Sequence, residues 1–255
     1  MPLLPDQKEE YLNALCNITR VDRVNELYGA RGNGNGVFIT PSHVLTAWHV
    51  ITGASKSGLE FENCDGETAR MKDGGFKKRD AASDLCLIEL DKPIGKDYYI
   101  RPVNKHILKN NNFSGDKNLG NVVAKNTYGN KQVVEEVFKP HLSFAGNFDQ
   151  YDIDHDSGQN IGALYNYKVR EPLMHKGHSG APVINNNGHV VSILSLMEDI
   201  GKRIDGIPGT PDVAVSDALY GASPEQVAAF VDDFLFSPES VHCAHLDDDA
   251  PQCDV

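Results

Sequence analysis

The stretch over residues 176–183, Lys-Gly-His-Ser-Gly-Ala-Pro-Val, constrains the fold most strongly, because it sets a serine between two glycines ahead of an apolar strand. Glycine has no Cβ atom, so Gly177 and Gly180 permit a tight backbone bend around Ser179. Such a bend can direct the amides of Gly177 and Ser179 to one point, where they could stabilise an oxyanion. Taken alone, the stretch also fits an ordinary polar turn between two strands.

A nucleophilic serine needs a general base and a group that orients this base. Residues 36–51 predict a strand, a turn and a second strand, with His49 where the second strand ends. Residues 83–90 place Asp84 at the start of a strongly apolar strand. Asp80 is the alternative acid, but it follows three basic residues in a charged loop. We therefore expect Asp84 to orient His49, because the adjoining strand would fix its position.

The sequences around these three residues resemble motifs of the trypsin/chymotrypsin-like serine proteases. T-A-W-H-V is similar to the T-A-[AG]-H motif of the base, and S-D-L-C-L-I-E-L is similar to the D-[IL]-A-[LV]-[LI] motif of the acid. G-H-S-G-A-P-V is similar to the G-[DN]-S-G-[GS]-P motif of the nucleophile. The resemblance implies that His49 is the general base, that Asp84 orients it, and that Ser179 attacks. It also implies an oxyanion hole formed by the amides of Gly177 and Ser179.

The same resemblance implies a serine endopeptidase that works through an acyl-enzyme and needs no metal or organic cofactor. It covers residues 30–236 and predicts an all-β fold of two six-stranded antiparallel β-barrels. Barrel one is expected over about 30–120, barrel two over about 121–222, and a C-terminal helix over 223–236. An N-terminal helical extension (1–29) and an acidic tail (237–255) are predicted to flank this protease domain.

His178 stands directly before Ser179, where secreted members of the family carry an acid that pairs with a newly cut N-terminus. No Ile-Val-Gly-Gly start appears near residues 29–36, so we expect no activation of that kind. The core therefore resembles the HtrA-type bacterial proteases, which carry Asn at this position. It is expected to lack their PDZ domain.

Substrate-binding residues follow from the same alignment of motifs. Leu173 lies six residues before Ser179, where the family often has the base of its specificity pocket, and it suggests an apolar or small residue before the scissile bond. Glu171 is the alternative pocket residue. The wall that pairs with substrate backbone is expected to consist of Ser195, Leu196 and Met197.

The N-terminal region is predicted to be helical. Asp6 and Glu9 form a capping-box pattern, and the apolar residues that follow recur at helical spacing. A second short helix is expected from Thr19 to Gly29. This extension would cover one barrel, or else bind a regulatory partner.

The C-terminal helix begins with a capping pair, Ser223 and Gln226, and has Pro224 at its first position. One apolar face is predicted, and the resemblance implies that it packs on the second barrel. The residues of that face are Val227, Phe230, Val231 and Phe234.

Charge and composition exclude several partners. The chain has 36 acidic and 24 basic residues, a net charge of −12, which argues against a nucleic-acid partner. No apolar run is long enough to span a membrane, and the N-terminus does not read as a secretory signal. The five cysteines are odd in number and scattered, so a disulfide framework is not expected. Reduced thiols led us to predict a cytoplasmic location.

Two segments were tested as metal sites. Residues 152–158 begin like a calcium loop, but the glycine comes one position late, and Ala163 stands where the twelfth-position glutamate is required. His242, Cys243 and His245 could ligate zinc by residue type, but they lie in the acidic tail. We therefore predict no metal site.

Two other functional classes fit less well than a protease acting on proteins or peptides. A non-catalytic peptide-binding module on the same fold is the main alternative, although such modules usually lose one residue of the triad. An esterase would more often show G-x-S-x-G on an α/β sheet, whereas the middle of this chain reads as β throughout.

Overall fold

The computed structural model describes most of the first 110 residues and a set of strands and one helix beyond them. The described residues are 5–25, 30–80, 82–96, 98–110, 121–122, 126–128, 131–133, 143–148, 151–152, 160–161, 164–168, 174–175, 178–185, 187–197, 203–204, 213–216 and 218–235.

Seven antiparallel strands form the first sheet, in the order β5-β4-β1-β2-β3-β7-β6. Its centre is apolar on both faces: every residue of β7 is buried except Glu89, which is partly exposed. Such a continuous apolar run suits a strand covered on both sides. The strands are β1 (Leu15–Asn25), β2 (Ala30–Thr40), β3 (His43–Ala47), β4 (Leu59–Glu62), β5 (Thr68–Ala69), β6 (Met71–Asp80) and β7 (Leu85–Leu90).

The second main sheet has six antiparallel strands, in the order β11-β14-β20-β17-β16-β8. Three small sheets accompany it: β9 with β10, β12 with β13, and β15-β19-β18. The strands are β8 (Asn121–Val122), β9 (Asn126–Tyr128), β10 (Lys131–Val133), β11 (Ser143–Phe148), β12 (Tyr151–Asp152), β13 (Asn160–Ile161), β14 (Leu164–Lys168), β15 (Met174–His175), β16 (Pro182–Ile184), β17 (Val190–Met197), β18 (Arg203–Ile204), β19 (Val213–Ser216) and β20 (Ala218–Gly221).

Among the described residues, helices are few and short. They are α1 (Pro5–Asn13), α2 (Trp48–Ile51), α3 (Lys105–Asn110) and α4 (Pro224–Leu235), with one 3₁₀ turn at Lys56–Gly58. No helix among the described residues has the length and apolar character that crossing a membrane requires. The predicted mostly β fold is confirmed. The described strands form sheets of seven and six, however, rather than two sets of six.

The second N-terminal helix predicted from Thr19 to Gly29 was wrong in its described part, because residues 15–25 form β1. This strand lies between β2 and β4, and its residues Leu15 and Ile18 are fully buried. The buried apolar residues Leu15 and Ile18 lie on opposite faces of this strand, because side chains alternate along it. Local spacing cannot show such burial, and β-branched residues such as Ile18 and Thr19 favour the strand. The first predicted helix agrees with α1 over Pro5–Asn13, but the apolar residues Leu15 and Cys16, which its helical spacing included, belong to β1.

The C-terminal helix has the predicted cap at its N-terminus. It packs on both sheets, whereas packing on the second barrel alone was predicted. Ser223 Oγ accepts the Gln226 amide at 3.1 Å, and Gln226 Oε1 accepts the Ser223 amide at 2.7 Å. The helix packs on β17 of the second sheet but also on the first sheet, where its Phe234 ring lies 4.6 Å from the ring of His43. One continuous apolar core therefore includes residues from both sheets and from α4.

His43 at the start of β3 is held as an uncharged side chain. Its Nδ1 lies 2.8 Å from Thr40 Oγ1, and its ring packs against Phe234. Burial lowers the pKa of His43 to about 4, and Glu89 opposes this only in part. The neutral imidazole is therefore part of the interface between β3 and α4.

We predict that the protein loses stability in mild acid because of His43. A histidine in the unfolded chain titrates near 6.5, so between about pH 6.5 and 4 the unfolded state binds a proton that the folded state excludes. The free energy of unfolding should fall as the pH decreases through this window. Urea unfolding at pH 7.5 and pH 5 should show a smaller loss for His43→Gln than for the native chain. The matched control is His106→Gln on α3, and an equal loss in all three proteins would contradict the prediction.

Candidate active site

Asp84 is a buried carboxylate at the turn between β6 and β7. Its φ of 53° lies in the left-handed region, which aspartate tolerates better than most residues. The Asp84 carbonyl accepts the amide of Trp48 at 2.9 Å, and Asp84 Oδ1 accepts the amide of His49 at 2.9 Å. The first residues of α2 are thereby fixed to the residue that precedes β7.

His49 and Asp84, which are predicted to act as base and orienting acid, are joined by a hydrogen bond. His49 Nδ1 donates to Asp84 Oδ2 at 2.6 Å. The imidazole retains 20% of its side-chain exposure, whereas the carboxylate is 1% exposed. Because Nδ1 donates to the carboxylate, the neutral ring has its lone pair on Nε2. His49 can therefore accept a proton on the side that faces away from Asp84.

Ser195 in β17 binds the same carboxylate, a role that the sequence did not indicate. Its buried hydroxyl donates to Asp84 Oδ2, next to the hydrogen bond from His49. The sequence predicts only that the backbone of Ser195 pairs with substrate, and it assigns no function to the side chain. A polar residue in the apolar strand Val190–Met197 could have indicated a role for the Ser195 side chain. Ser192 is equally polar and lies in the same strand, however, and it donates to the Ala222 carbonyl instead.

Ser179 lies in a four-residue turn. The Ala181 amide donates to the His178 carbonyl at 3.0 Å, and Gly180 has a φ of +83°. A positive φ at the third residue is what a type II turn requires. Ser179 is the second residue of this turn and is partly exposed, and the φ of Gly180 agrees with the tight bend predicted around the serine.

The backbone around Ser179 is bound to both sheets. The Asn35 amide of β2 donates to the Ser179 carbonyl at 2.7 Å, and the Gly180 amide donates to the Leu194 carbonyl of β17 at 2.7 Å. Thr46 Oγ1 donates to the Asn35 carbonyl at 2.6 Å. The serine that precedes β16 is thereby held against β2 and β3, the strands that lead to His49.

The hydroxyl of Ser179 binds β17 rather than His49. Ser179 Oγ donates to the Ser195 carbonyl at 3.4 Å, and the described part of the chain has no hydrogen bond between Ser179 and His49. Ser195 thus contacts Ser179 through its carbonyl and Asp84 through its hydroxyl. The three predicted residues meet around Ser195, with the serine rotated towards β17.

The alternative acid Asp80 has a different role. Its Oδ2 accepts Ser83 Oγ at 2.6 Å and its Oδ1 accepts the Ala82 amide at 3.0 Å, so it stabilises the turn that carries Asp84. The preference for Asp84 over Asp80 agrees with these contacts.

Several residues of the predicted site lie outside the described residues. They are Gly177 of the oxyanion hole and Leu173 and Glu171 of the specificity pocket. Leu196 and Met197 belong to β17, but their side chains are not described. The two segments tested as metal sites also lie outside, apart from the backbone of Asp152. Within the described residues, no three His, Cys, Asp or Glu side chains are grouped as a metal site.

Comparison with known proteins connects this geometry to a family. The trypsin-like peptidase domain family matches residues 34–193. The probable periplasmic serine protease do/HhoA-like of Haemophilus influenzae is 28% identical over 202 residues, which is 75% of this chain and 37% of the relative. The chain therefore spans little more than a third of that relative.

Solved structures share the fold at low sequence identity. The active form of the Rv3671c protease from M. tuberculosis has a TM-score of 0.59 at 13% identity, with 91% of this chain and 87% of that chain covered. The HtrA-type protease AlgW with tripeptide has a TM-score of 0.59 at 12% identity, with 92% and 64% covered. The resemblance to HtrA-type cores is confirmed.

The predicted cytoplasmic location was wrong. The Haemophilus relative is named as periplasmic, which points away from the cytoplasm. The thiols of Cys16 and Cys86 are buried, and burial raises the pKa of the Cys86 thiol. A buried, protonated thiol reacts slowly in any compartment, so cysteines outside disulfides gave no information about location.

Gly180 should be irreplaceable at the turn that carries Ser179. A Cβ atom there would overlap with the Asn35 carbonyl oxygen and would lie 2.5 Å from Thr46 Oγ1. We expect Gly180→Ala to cost more than about 4 kcal/mol in the free energy of unfolding, because two bound backbones would have to separate. Urea unfolding measures this cost.

Gly66→Ala is the matched control, since Gly66 has a φ of +78° but no atom within 4 Å of the added Cβ. It should cost about 1 kcal/mol, the price of the left-handed backbone alone. Equal costs for the two variants would show that the contact with Asn35 is unimportant.

Proposed function

Because this chain belongs to the trypsin-like peptidase domain family of serine endopeptidases, we propose that it hydrolyses peptide bonds with His49, Asp84 and Ser179 through an acyl-enzyme. The observation that carries the proposal is the hydrogen bond of 2.6 Å between His49 Nδ1 and the buried carboxylate of Asp84. It leaves Nε2 of a partly exposed imidazole as a base beside the turn that carries Ser179.

The reaction begins with rotation of the Ser179 hydroxyl from the Ser195 carbonyl to Nε2 of His49. As Ser179 Oγ bonds to the substrate carbonyl carbon, its proton passes to Nε2, and Asp84 stabilises the resulting imidazolium. The oxyanion is proposed to bind the amides of Gly177 and Ser179. The imidazolium then protonates the leaving amine as the C–N bond breaks. A water molecule, deprotonated by His49, attacks the acyl-enzyme and releases the acid and Ser179.

The finer architecture belongs to the same proposal. We place barrel one on the seven-stranded sheet and barrel two on the six-stranded sheet, with residues 223–236 as the closing helix. Since β1 pairs with β2 and β4, barrel one would begin before residue 30. Leu173 and the backbone of Ser195 to Met197 are proposed to bind the substrate residues that precede the scissile bond.

A fluorophosphonate probe tests the proposed nucleophile directly. We expect the native chain to gain one adduct on Ser179 and Ser179→Ala to gain none, with intact-mass spectrometry as the readout. Asp84→Asn should label about 10³- to 10⁴-fold more slowly, because the imidazole loses its orienting carboxylate. Asp80→Asn is the matched control and should label at the native rate. A folded native chain that does not label would contradict the proposed activated serine and would indicate a latent enzyme or a peptide-binding module.

Ser195 should act as a positioning residue through Asp84. Ser195→Ala removes one donor from Oδ2, and we expect labelling to slow about tenfold or more. Ser195→Thr keeps a hydroxyl at this position and should label close to the native rate. Ser192→Ala, which loses only a hydrogen bond to the Ala222 carbonyl, should leave the labelling rate unchanged. A native rate for Ser195→Ala, or equal slowing of Ser192→Ala, would contradict this role.

A further inference from the structure

A single arginine lies over the residue that precedes the base. The guanidinium carbon of Arg79 is 5.0 Å from the ring centroid of Trp48, and Trp48 is joined directly to His49. We infer that Arg79 binds an acidic side chain of peptide substrates, which makes it a specificity-determining residue for the proposed hydrolysis. This inference rests on the proposed function and names its substrate class.

Arg79 is held at a fixed place relative to the catalytic residues. It pairs with Cys86 across β6 and β7, in the hairpin whose turn carries Asp84. The Trp48 ring beneath it is 8% exposed and packs edge-on against Phe76, with centroids 5.8 Å apart. The indole is thereby fixed from below, and the guanidinium lies on its outer face. A cation held in this way loses little further freedom when it binds a ligand.

The positive charge of Arg79 can bind a ligand, whereas the nearby charged side chains of Lys72, Lys77 and Asp80 are bound to other groups of the protein. Lys72 and Lys77 both bind Glu89, at 2.6 and 2.5 Å. Asp80, the next residue along the chain, is occupied by the turn at Ala82 and Ser83. Within the described residues Arg79 makes no ion pair, and it is exposed.

The guanidinium lies over the indole at 5.0 Å from the ring centroid, and this contact leaves its N–H groups available to a ligand. Those groups can bind both oxygens of a carboxylate, an arrangement that lysine cannot reproduce. β6 is the last strand in the order of the first sheet, so the site lies at an edge that an extended peptide can approach. The net charge of −12 would repel a nucleic acid, whereas one acidic side chain in a peptide needs only one cation.

Binding of peptides to the full chain with Ser179→Ala tests the inference apart from catalysis. Fluorescence anisotropy measures the affinity of two pools of labelled nonapeptides of random sequence. One pool has glutamate and the other has glutamine at a single fixed position, and the measurement is repeated with this position moved along the peptide. We expect the glutamate pool to bind about tenfold more tightly at one position, and Arg79→Gln to abolish the difference. Arg79→Lys should restore only part of it. Arg101→Gln, which removes an exposed arginine elsewhere, is the matched control and should leave the difference unchanged.

Cleavage of a peptide mixture by the native chain gives the second readout. Acidic residues should be enriched at one position near the cleaved bonds, and Arg79→Gln should remove this enrichment while neutral substrates are cleaved at the native rate. No preference for glutamate, or a preference that survives Arg79→Gln, would overturn the inference. Failure to label with fluorophosphonate, together with an intact preference in the binding assay, would overturn the proposed function but would leave the binding of acidic side chains by Arg79 standing.

Discussion

The buried carboxylate of Asp84 is the interaction on which the site depends. Its two oxygens and its carbonyl accept donors from α2 and β17, so one residue fixes the start of the helix that carries His49 and the strand that carries Ser195. A carboxylate removed from water is costly unless such donors surround it. The left-handed backbone of Asp84 is tolerated because these hydrogen bonds over-determine its conformation.

The second constraint is the contact between the two sheets. The Ser179 carbonyl is bound by β2, and the Gly180 amide is bound by β17, so the turn with the nucleophile belongs to neither sheet alone. Thr46 reinforces this contact from β3 through the Asn35 carbonyl. Helix α4 adds a third connection, because it packs on His43 of the first sheet and on β17 of the second.

Local sequence predicted the parts of the site that local geometry determines. Glycines around Ser179 indicated its turn, and the apolar strand after Asp84 separated it from Asp80. The function of the Ser195 hydroxyl was not predictable, because Asp84 lies 111 residues away in sequence and Ser192 looks the same. β1 was missed for a related reason. Its strand conformation comes from burial between β2 and β4, and its apolar spacing also fits a helix.

The position of Ser179 between the two sheets has a consequence for the folding of the chain. His49 and Asp84 lie in segments that connect strands of the first sheet, whereas the turn of Ser179 is hydrogen-bonded to both β2 and β17. A partly folded chain with one sheet formed would then be a possible substrate of mature copies without being able to cut its neighbours. Under the proposed function, a newly made chain would gain proteolytic activity only after both sheets have formed. Before that point it would not cleave other proteins.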